Sequence, residues 1–183
     1  MNYLHATAMA SLAIFISGCA SLSQSECISA NWYDLGAQNA MSGKESSYVA
    51  EHTKACGEYA INPDFTLYKL GWLNGQSQFC TAASGWRFAA KGGHYKNTCS
   101  LYNERDFLAG FRLGKTKREK QAEVNNIKAE LKTLVKYSLK EGLTPQQLAD
   151  IAFERLDLKM DLRFLDMEIN RLEDKAQRNG YFY

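Results

Sequence analysis

The sequence lacks the motifs that usually reveal a chemical activity. It has no GxSxG, HExxH, phosphate-binding (Walker) or dinucleotide-binding motif. Three histidines occur, and of these His52 and His94 are the candidates for a catalytic triad, but neither has a suggestive Ser or Cys nucleophile. These absences favour a protein without enzymatic activity. An enzyme that uses a pair of carboxylates is the alternative.

Proline and net charge are also scarce. With two prolines and no low-complexity tract beyond one short polar stretch, little of the chain is expected to be disordered. The formal net charge is only +2, so we expect no nucleic-acid partner. Charged residues become denser along the chain: residues 27–100 have six basic and five acidic side chains, and residues 101–183 have sixteen and fourteen. This shift predicts two structural regions.

An apolar segment of eleven residues stands near the N-terminus. Residues 6–16 read ATAMASLAIFI, too short to span a bilayer, and the small residues after them lead to Cys19. The segment resembles the lipobox of bacterial lipoproteins. The resemblance implies a signal peptide over residues 1–18, acylation of Cys19 and a polar tether over residues 19–26. Because Ala20 rather than Asp follows the cysteine, it also implies the outer membrane. The alternative is a buried apolar segment of a cytosolic domain.

Four further cysteines all lie in the first half of the chain. In an exported protein an even set predicts two disulfides, with three connectivities open. No CxxC motif occurs, which argues against a thioredoxin-like redox role. The alternative is a metal-binding module, because His52 and His94 stand at ligand-like spacing from two of the cysteines. The four cysteines are Cys27, Cys56, Cys80 and Cys99.

The expected helices indicate which cysteines pair. A helix near residues 32–42 and a second one ended by Gly57 are expected to run antiparallel, which returns the second cysteine to the first. A helix with Asn62 as its N-cap and Pro63 at its first position, and another after Asn103, are expected to pack antiparallel and join the fourth cysteine to the third. The predicted disulfides are Cys27–Cys56 and Cys80–Cys99.

Three segments share an aromatic residue with small residues three and seven positions later. On a helix these positions lie on one face, and a glycine there costs about 1 kcal/mol of helix propensity. We therefore expect close packing of two backbones, with a ligand groove along the glycines as the alternative. The spacings of 35 and 39 residues indicate a degenerate internal repeat. The segments are Tyr33/Gly36/Ala40, Tyr68/Gly71/Gly75 and Phe107/Gly110/Gly114.

The stretch between Cys80 and Cys99 is rich in glycine and aromatic residues. We expect an irregular loop closed by the second disulfide. Its aromatic side chains either form a recognition surface or fill the core of the small domain.

Residues 27–115 resemble a family of bacterial lipoproteins defined by a domain of unknown function. The resemblance implies an envelope lipoprotein with a four-cysteine domain, and it implies no activity. It rests on the order of five motifs: Asn31-Trp32-Tyr33 with Gly36, Ala55-Cys56 before Asn62-Pro63-Asp64, Tyr68-x-x-Gly71-x-x-x-Gly75, Phe79-Cys80-Thr81, and Gly92-Gly93-x-Tyr95 before Cys99.

The C-terminal half predicts a helical hairpin. Residues 115–141 have one apolar stripe, and Gly142 ends that helix. The sequence TPQQ from Thr144 is a capping box that opens a second helix, which runs to about Asn179. This helix has two adjoining apolar stripes, wider than a coiled-coil seam needs. The second stripe either packs on the core or binds a partner. The candidate partner-binding residues are Phe153, Met160, Phe164 and Met167.

Together these observations predict a mainly α protein. A small disulfide-tied helical domain with Gly-rich loops is expected over residues 27–114, followed by the hairpin over residues 115–183. The expected role is that of a membrane-anchored envelope lipoprotein facing the periplasm, with a non-enzymatic structural or partner-binding function. The alternative is a lipid-anchored enzyme acting on a cell-wall or envelope substrate. The membrane is expected to be bound through acyl chains on Cys19, and a protein partner or a second copy through the hairpin. No cofactor and no metal is expected.

Overall fold

The computed structural model describes residues 21–100 and 102–182, so the expected signal peptide and Cys19 lie outside the described residues. Seven α-helices and no strand occur in these ranges, which confirms the mainly α fold. A 3-10 turn at Ser46–Tyr48 precedes the third helix. The helices are α1 (Gln24–Ile28), α2 (Trp32–Met41), α3 (Val49–Gly57), α4 (Phe65–Phe79), α5 (Ala82–Ala90), α6 (Glu104–Ser138) and α7 (Pro145–Arg178).

Side-chain caps mark the starts of five of the seven described helices. Thr144 caps α7 in the predicted capping box. For α4 the predicted start, with Asn62 as the cap, is wrong: the helix begins at Phe65. The reason is that the Asp64 carboxylate accepts a hydrogen bond from the Leu67 N–H at 2.9 Å, and aspartate is as effective an N-cap as asparagine.

The first helix pair, α2 and α4, packs backbone against backbone. A Cβ atom added to Gly71 would overlap the Tyr33 carbonyl, and one added to Gly75 would overlap the Ala37 carbonyl. Because these contacts advance by four residues on both helices, α2 and α4 run parallel. A glycine Cα–H bond therefore points at a carbonyl oxygen of the other helix, the weak hydrogen bond that is typical of closely packed helices.

The second helix pair, α5 and α6, repeats this design. Gly110 contacts the Ala82 carbonyl and Gly114 contacts the Trp86 carbonyl, again in parallel register. The predicted close approach of backbones is thus confirmed. The irregular loop expected after Cys80 is wrong over α5, which Thr81 caps. The aromatic pattern does not identify this fourth copy, because Ala82 stands where the other three have an aromatic residue.

One disulfide ties each helix pair near the starts of its two helices. Cys27 in α1 is bonded to Cys56 in α3, and Cys80 before α5 is bonded to Cys99 before α6. These are the expected pairs, but the expected antiparallel packing of α4 on α6 is wrong, since α4 packs on α2 and α6 on α5. Parallel helices bring their N-terminal ends together, and this places the cysteines side by side.

Aromatic side chains fill the core of the second pair. Phe107 is fully buried, with its ring centroid 4.9 Å from those of Phe79 and Tyr95. The Tyr95 hydroxyl donates a hydrogen bond to Glu104 at 2.6 Å and accepts one from the Cys99 N–H at 3.0 Å. Burial, together with the bond to Glu104, raises the pKa of Tyr95 to about 12. The aromatics expected in the disulfide loop therefore pack in the core.

The N-terminal segment is folded onto the first pair. Leu22 is 7% exposed and belongs to a core cluster with Trp32 and Trp72. Ser23 and Glu26 form a capping box at the start of α1. The expected polar tether is therefore wrong from residue 21 onward, because burial of Leu22 and the capped α1 fix this segment to the domain.

The C-terminal region is the predicted hairpin. α6 passes residue 115 without a break and continues to its end at Ser138. α7 packs antiparallel on it through a seam that includes Val124, Leu165 and Ile169. After α7, the ring centroid of Phe182 lies 5.9 Å from that of Trp86 in α5. The hairpin is thus joined to the second helix pair at both of its chain ends.

Candidate functional site on the outer face of the C-terminal helix

α7 has two apolar stripes that face in different directions. Ile151, Leu165 and Ile169 are 6–8% exposed and lie on the side that packs on α6. The other stripe, which we call the outer stripe, is open to solvent. It includes all four predicted partner-binding residues and Leu156. Its exposed fractions are 68% for Phe153, 56% for Leu156, 46% for Met160, 63% for Phe164 and 46% for Met167.

The outer stripe is continuous and straight. Its residues follow one another at intervals of three, four, four and three, which keeps them within a sector of about 80° on an α-helix. The stripe covers residues 153–167, or about 21 Å of helix. An uncovered apolar face of this kind is typical of helices that bind other proteins.

Within the described ranges, no helix has the length and apolarity needed to cross a membrane.

Charges are segregated on the two sides of the outer stripe, as the 100° turn per residue places them. Four charged residues lie nearest the centre of the stripe, and none of them takes part in an ion pair within the described ranges. They are Lys159, Arg163, Asp157 and Asp161. One flank is acidic throughout: Asp150, Glu154, Asp157, Asp161 and Glu168. The other flank has three bases and one acid: Arg155, Lys159, Arg163 and Asp166.

Ion pairs between α6 and α7 fix the hairpin at its base. Lys117 Nζ lies 2.5 Å from Glu173 Oε1, and Lys120 Nζ lies 3.3 Å from Glu168 Oε2. Both pairs are partly exposed, so solvent screens them and neither is a major source of stability. Their main effect is on register: they hold α7 with its seam towards α6 and its outer stripe away from it.

A second candidate is the buried His52, which is 2% exposed. Its Nε2 accepts a hydrogen bond from Asn39 Nδ2 at 2.7 Å, and its Nδ1 donates one to Ser21 Oγ at 3.0 Å. Burial lowers the pKa of His52 from its ordinary value of 6.5, and the charge of Glu51 opposes that shift. Because Asn39 Nδ2 can only donate, the proton of the neutral ring is on Nδ1, which donates it to Ser21 Oγ. A base that activates a nucleophile must instead accept the hydroxyl proton. Sequence reasoning missed this contact because Ser21 is 31 residues away.

The other residues singled out for metal or triad chemistry are dispersed. His94 is exposed in the loop before α6. Cys56 and Cys99 are engaged in disulfides. In the part of the chain that the structure describes, no three His, Cys, Asp or Glu side chains are grouped closely enough to hold a metal ion.

A groove of about 770 Å³ lies between the end of α2, α4 and α5. Its lining includes the cations Arg87 and Lys91 and the aromatic rings of Phe79 and Phe88. None of the residues that line it is a histidine, aspartate, glutamate or cysteine. The groove therefore lacks the side chains on which general acid–base catalysis most often depends.

Comparison with known proteins gives one family match, and it covers the region that contains the two helix pairs. Residues 31–116 match the family described as "Protein of unknown function (DUF2799)". No curated protein and no solved structure matches the chain. The match begins at the N-cap of α2 and ends two residues after Gly114, so it contains both glycine-packed pairs and leaves the hairpin outside. This chain is therefore similar to the DUF2799 family over residues 31–116, slightly less than half of its length.

Proposed function

We propose that this protein is a lipid-anchored lipoprotein of the bacterial envelope that acts by binding a protein partner, either a different protein or a second copy of itself, and not by catalysis. The observation on which this proposal rests is the outer stripe of α7, where five large apolar side chains are 46–68% exposed. Isolated surface hydrophobics are ordinary, but five on one straight helix face form a patch that soluble proteins rarely leave uncovered.

The anchor is proposed from the sequence around Cys19. The residues before it resemble a lipobox, and acylation there would insert several chains, which is enough for stable membrane attachment. Two disulfides in a chain of this size fit an oxidising compartment such as the periplasm. Since Leu22 is buried only three residues after Cys19, the anchored domain would stand directly against the bilayer, and Ala20 would favour the outer membrane.

A binding role is supported by what the candidate chemical groups do. His52 is engaged in buried hydrogen bonds and is held in the tautomer that donates to Ser21. The groove beside α5 presents cations and aromatic rings without carboxylates. The outer stripe, in contrast, has no structural task within the described chain, because α7 already packs on α6 through its other face.

The anchor is tested by metabolic labelling with an alkyne-tagged fatty acid, followed by membrane fractionation. The wild-type chain is expected to take up label and to sediment with the outer membrane. The Cys19→Ser variant is expected to lose both properties, whereas an unrelated outer-membrane lipoprotein in the same cells, used as the control, keeps them. Equal labelling of wild type and variant would contradict acylation at Cys19.

The binding face is tested by site-specific photo-crosslinking in intact membranes. A photoreactive residue is placed at Phe164 in the outer stripe or, as a matched control, at Asn126 on the exposed surface of α6. A discrete protein adduct is expected from position 164 and none from position 126. The absence of any adduct from position 164, with the variant correctly folded and located, would contradict the proposal.

A further inference from the structure

The apolar side chains of the outer stripe do not distinguish one protein partner from another. The charges on its two flanks do, because they are complementary to those of a second copy of the same helix. We propose that the outer stripe is the interface of a parallel dimer, in which α7 of one chain packs on α7 of a second copy of the same chain. This inference rests on the proposed binding function and names its partner. The two-fold axis runs along α7, between the two helices.

The orientation follows from the segregated flanks. In a parallel pair of helices related by a two-fold axis, the left flank of one helix faces the right flank of the other at both edges of the interface. The acidic flank of each copy then meets the basic flank of its partner. In an antiparallel pair the same flanks meet, acid against acid and base against base, and like charges oppose association.

The levels of the charges along the helix also match. With both copies in the same register, Lys159 of one chain lies between the levels of Asp157 and Asp161 of the other, two residues or about 3 Å away along the axis. Arg163 lies at a similar axial distance from Asp161. These side chains have no ion-pair partner within the described part of their own chain. A second copy supplies the missing partners on both edges.

The size of the stripe agrees with a dimer that forms readily only at high local concentration. Five half-exposed large side chains bury roughly 100 Å² each, so two copies bury on the order of 1,000 Å², the lower limit for a specific interface. Confinement to one membrane raises the local concentration. The parallel orientation also suits such confinement, because both N-terminal segments lie on the same side of the pair.

The first test distinguishes parallel from antiparallel packing by cysteine crosslinking. Single variants of the full chain, Phe153→Cys, Met160→Cys and Met167→Cys, are treated in membranes with a short bis-maleimide. In a parallel dimer each position faces its own copy, so all three variants should form covalent dimers. In an antiparallel dimer centred on residue 160, only Met160→Cys would do so, and position 153 would instead crosslink to position 167 in a mixture. Asn126→Cys and the wild-type chain give the background.

The second test uses the charges. Lys159→Glu with Arg163→Glu makes the centre of both flanks acidic, and Asp157→Lys with Asp161→Lys makes the centre of both flanks basic. Each double variant alone should dimerise about tenfold more weakly than wild type, and a mixture of the two should recover dimerisation. All four positions are exposed, and an unchanged circular dichroism spectrum controls for folding.

The outcomes separate this inference from the proposed function. Self-crosslinking at all three stripe positions, with recovery in the charge-swapped mixture, supports the parallel dimer. Self-crosslinking at residue 160 alone overturns the parallel orientation. Stripe-specific adducts with a different protein and none with a second copy overturn the dimer while leaving the proposed binding function in place.

Discussion

The molecule has two helical regions that hold their helices together by different means: the four-cysteine domain over residues 27–114, which contains most of the DUF2799 match, and the hairpin. In the domain, glycines bring helix backbones into contact, and a disulfide ties each pair. In the hairpin, side chains meet along one seam and the opposite face of α7 stays open. The glycines and cysteines of the domain therefore serve its own packing, whereas the hairpin leaves large apolar side chains exposed. The difference distinguishes a region that is packed on itself from one that leaves an apolar helix face exposed.

The strongest way to break the domain is to fill the space between its helices. The change Gly71→Ala places a Cβ against the Tyr33 backbone, which cannot move aside as a flexible side chain would. Overpacking in a core typically costs 1–3 kcal/mol, and we expect about 3 kcal/mol or more where backbone opposes backbone. The measurement is urea unfolding followed by circular dichroism.

Gly57 provides the matched control for this prediction. It also lies in a helix, but a Cβ added there meets nothing within 4 Å. Gly57→Ala should leave stability unchanged or raise it by up to about 1 kcal/mol, because alanine has the better helix propensity. Equal destabilisation by the two alanines would show that backbone contact is not what holds α2 to α4.

The disulfides are the second source of domain stability. Replacing Cys27 and Cys56 together by alanine opens a loop of 29 residues, and replacing Cys80 and Cys99 opens one of 19. Each change should cost about 3 kcal/mol, slightly more for the longer loop. Hydrogen exchange should show the loss of protection centred on the helix pair that was tied. Loss centred on α7 instead would contradict the assignment of each disulfide to one pair.

The hairpin offers a sharper contrast within a single helix. Ile169 is 8% exposed in the seam, and Met167, two residues earlier, is 46% exposed in the outer stripe. Ile169→Ala should lower the free energy of unfolding by about 2 kcal/mol, at the lower end for a buried isoleucine. Met167→Ala should change it by less than about 0.5 kcal/mol when the chain is dilute and monomeric. Similar losses for both would mean that the outer stripe is covered within the chain.

Local spacing allows most of the helices and the outer stripe to be predicted from the sequence, but not α5, which stands where a loop is expected. The predicted cysteine pairs are confirmed, although the antiparallel packing from which the second pair is predicted is wrong. Apolar residues at three- and four-residue intervals identify a helix face wherever that face ends up. The direction of packing was not predictable in this way. Helices α4 and α6 were expected to pack antiparallel because neighbours in sequence often do, but α5 lies between them in the chain and pairs with α6 in parallel.

Contacts between residues far apart in the sequence could not be predicted either. The hydrogen bond from His52 to Ser21 joins the middle of the domain to a segment that composition alone predicted to be a free tether. Burial of a single leucine, Leu22, decides that the segment is folded. One apolar residue among serines gives no periodic signal, so this tertiary contact had no signature in the sequence.

The smallest expected effect concerns the pH dependence of domain stability. The folded-state pKa of His52 is lowered by burial from its ordinary value of 6.5. As pH falls from about 7.5 to 5.5, the unfolded chain takes up a proton at His52 more readily than the folded chain, so stability must decrease. The contribution is fully present above pH 6.5 and is lost as pH falls towards the lowered pKa.

This slope is measured from urea midpoints across that pH range, where most carboxylates keep their charge. The wild-type midpoint should fall as the solution becomes more acidic, and His52→Gln should reduce the slope. His94→Gln is the matched control, because His94 is exposed and its replacement should leave the slope unchanged. If His94→Gln removed the slope and His52→Gln did not, the buried histidine would not be the group that senses acid. The hairpin has no histidine, so a slope due to His52 belongs to the domain alone.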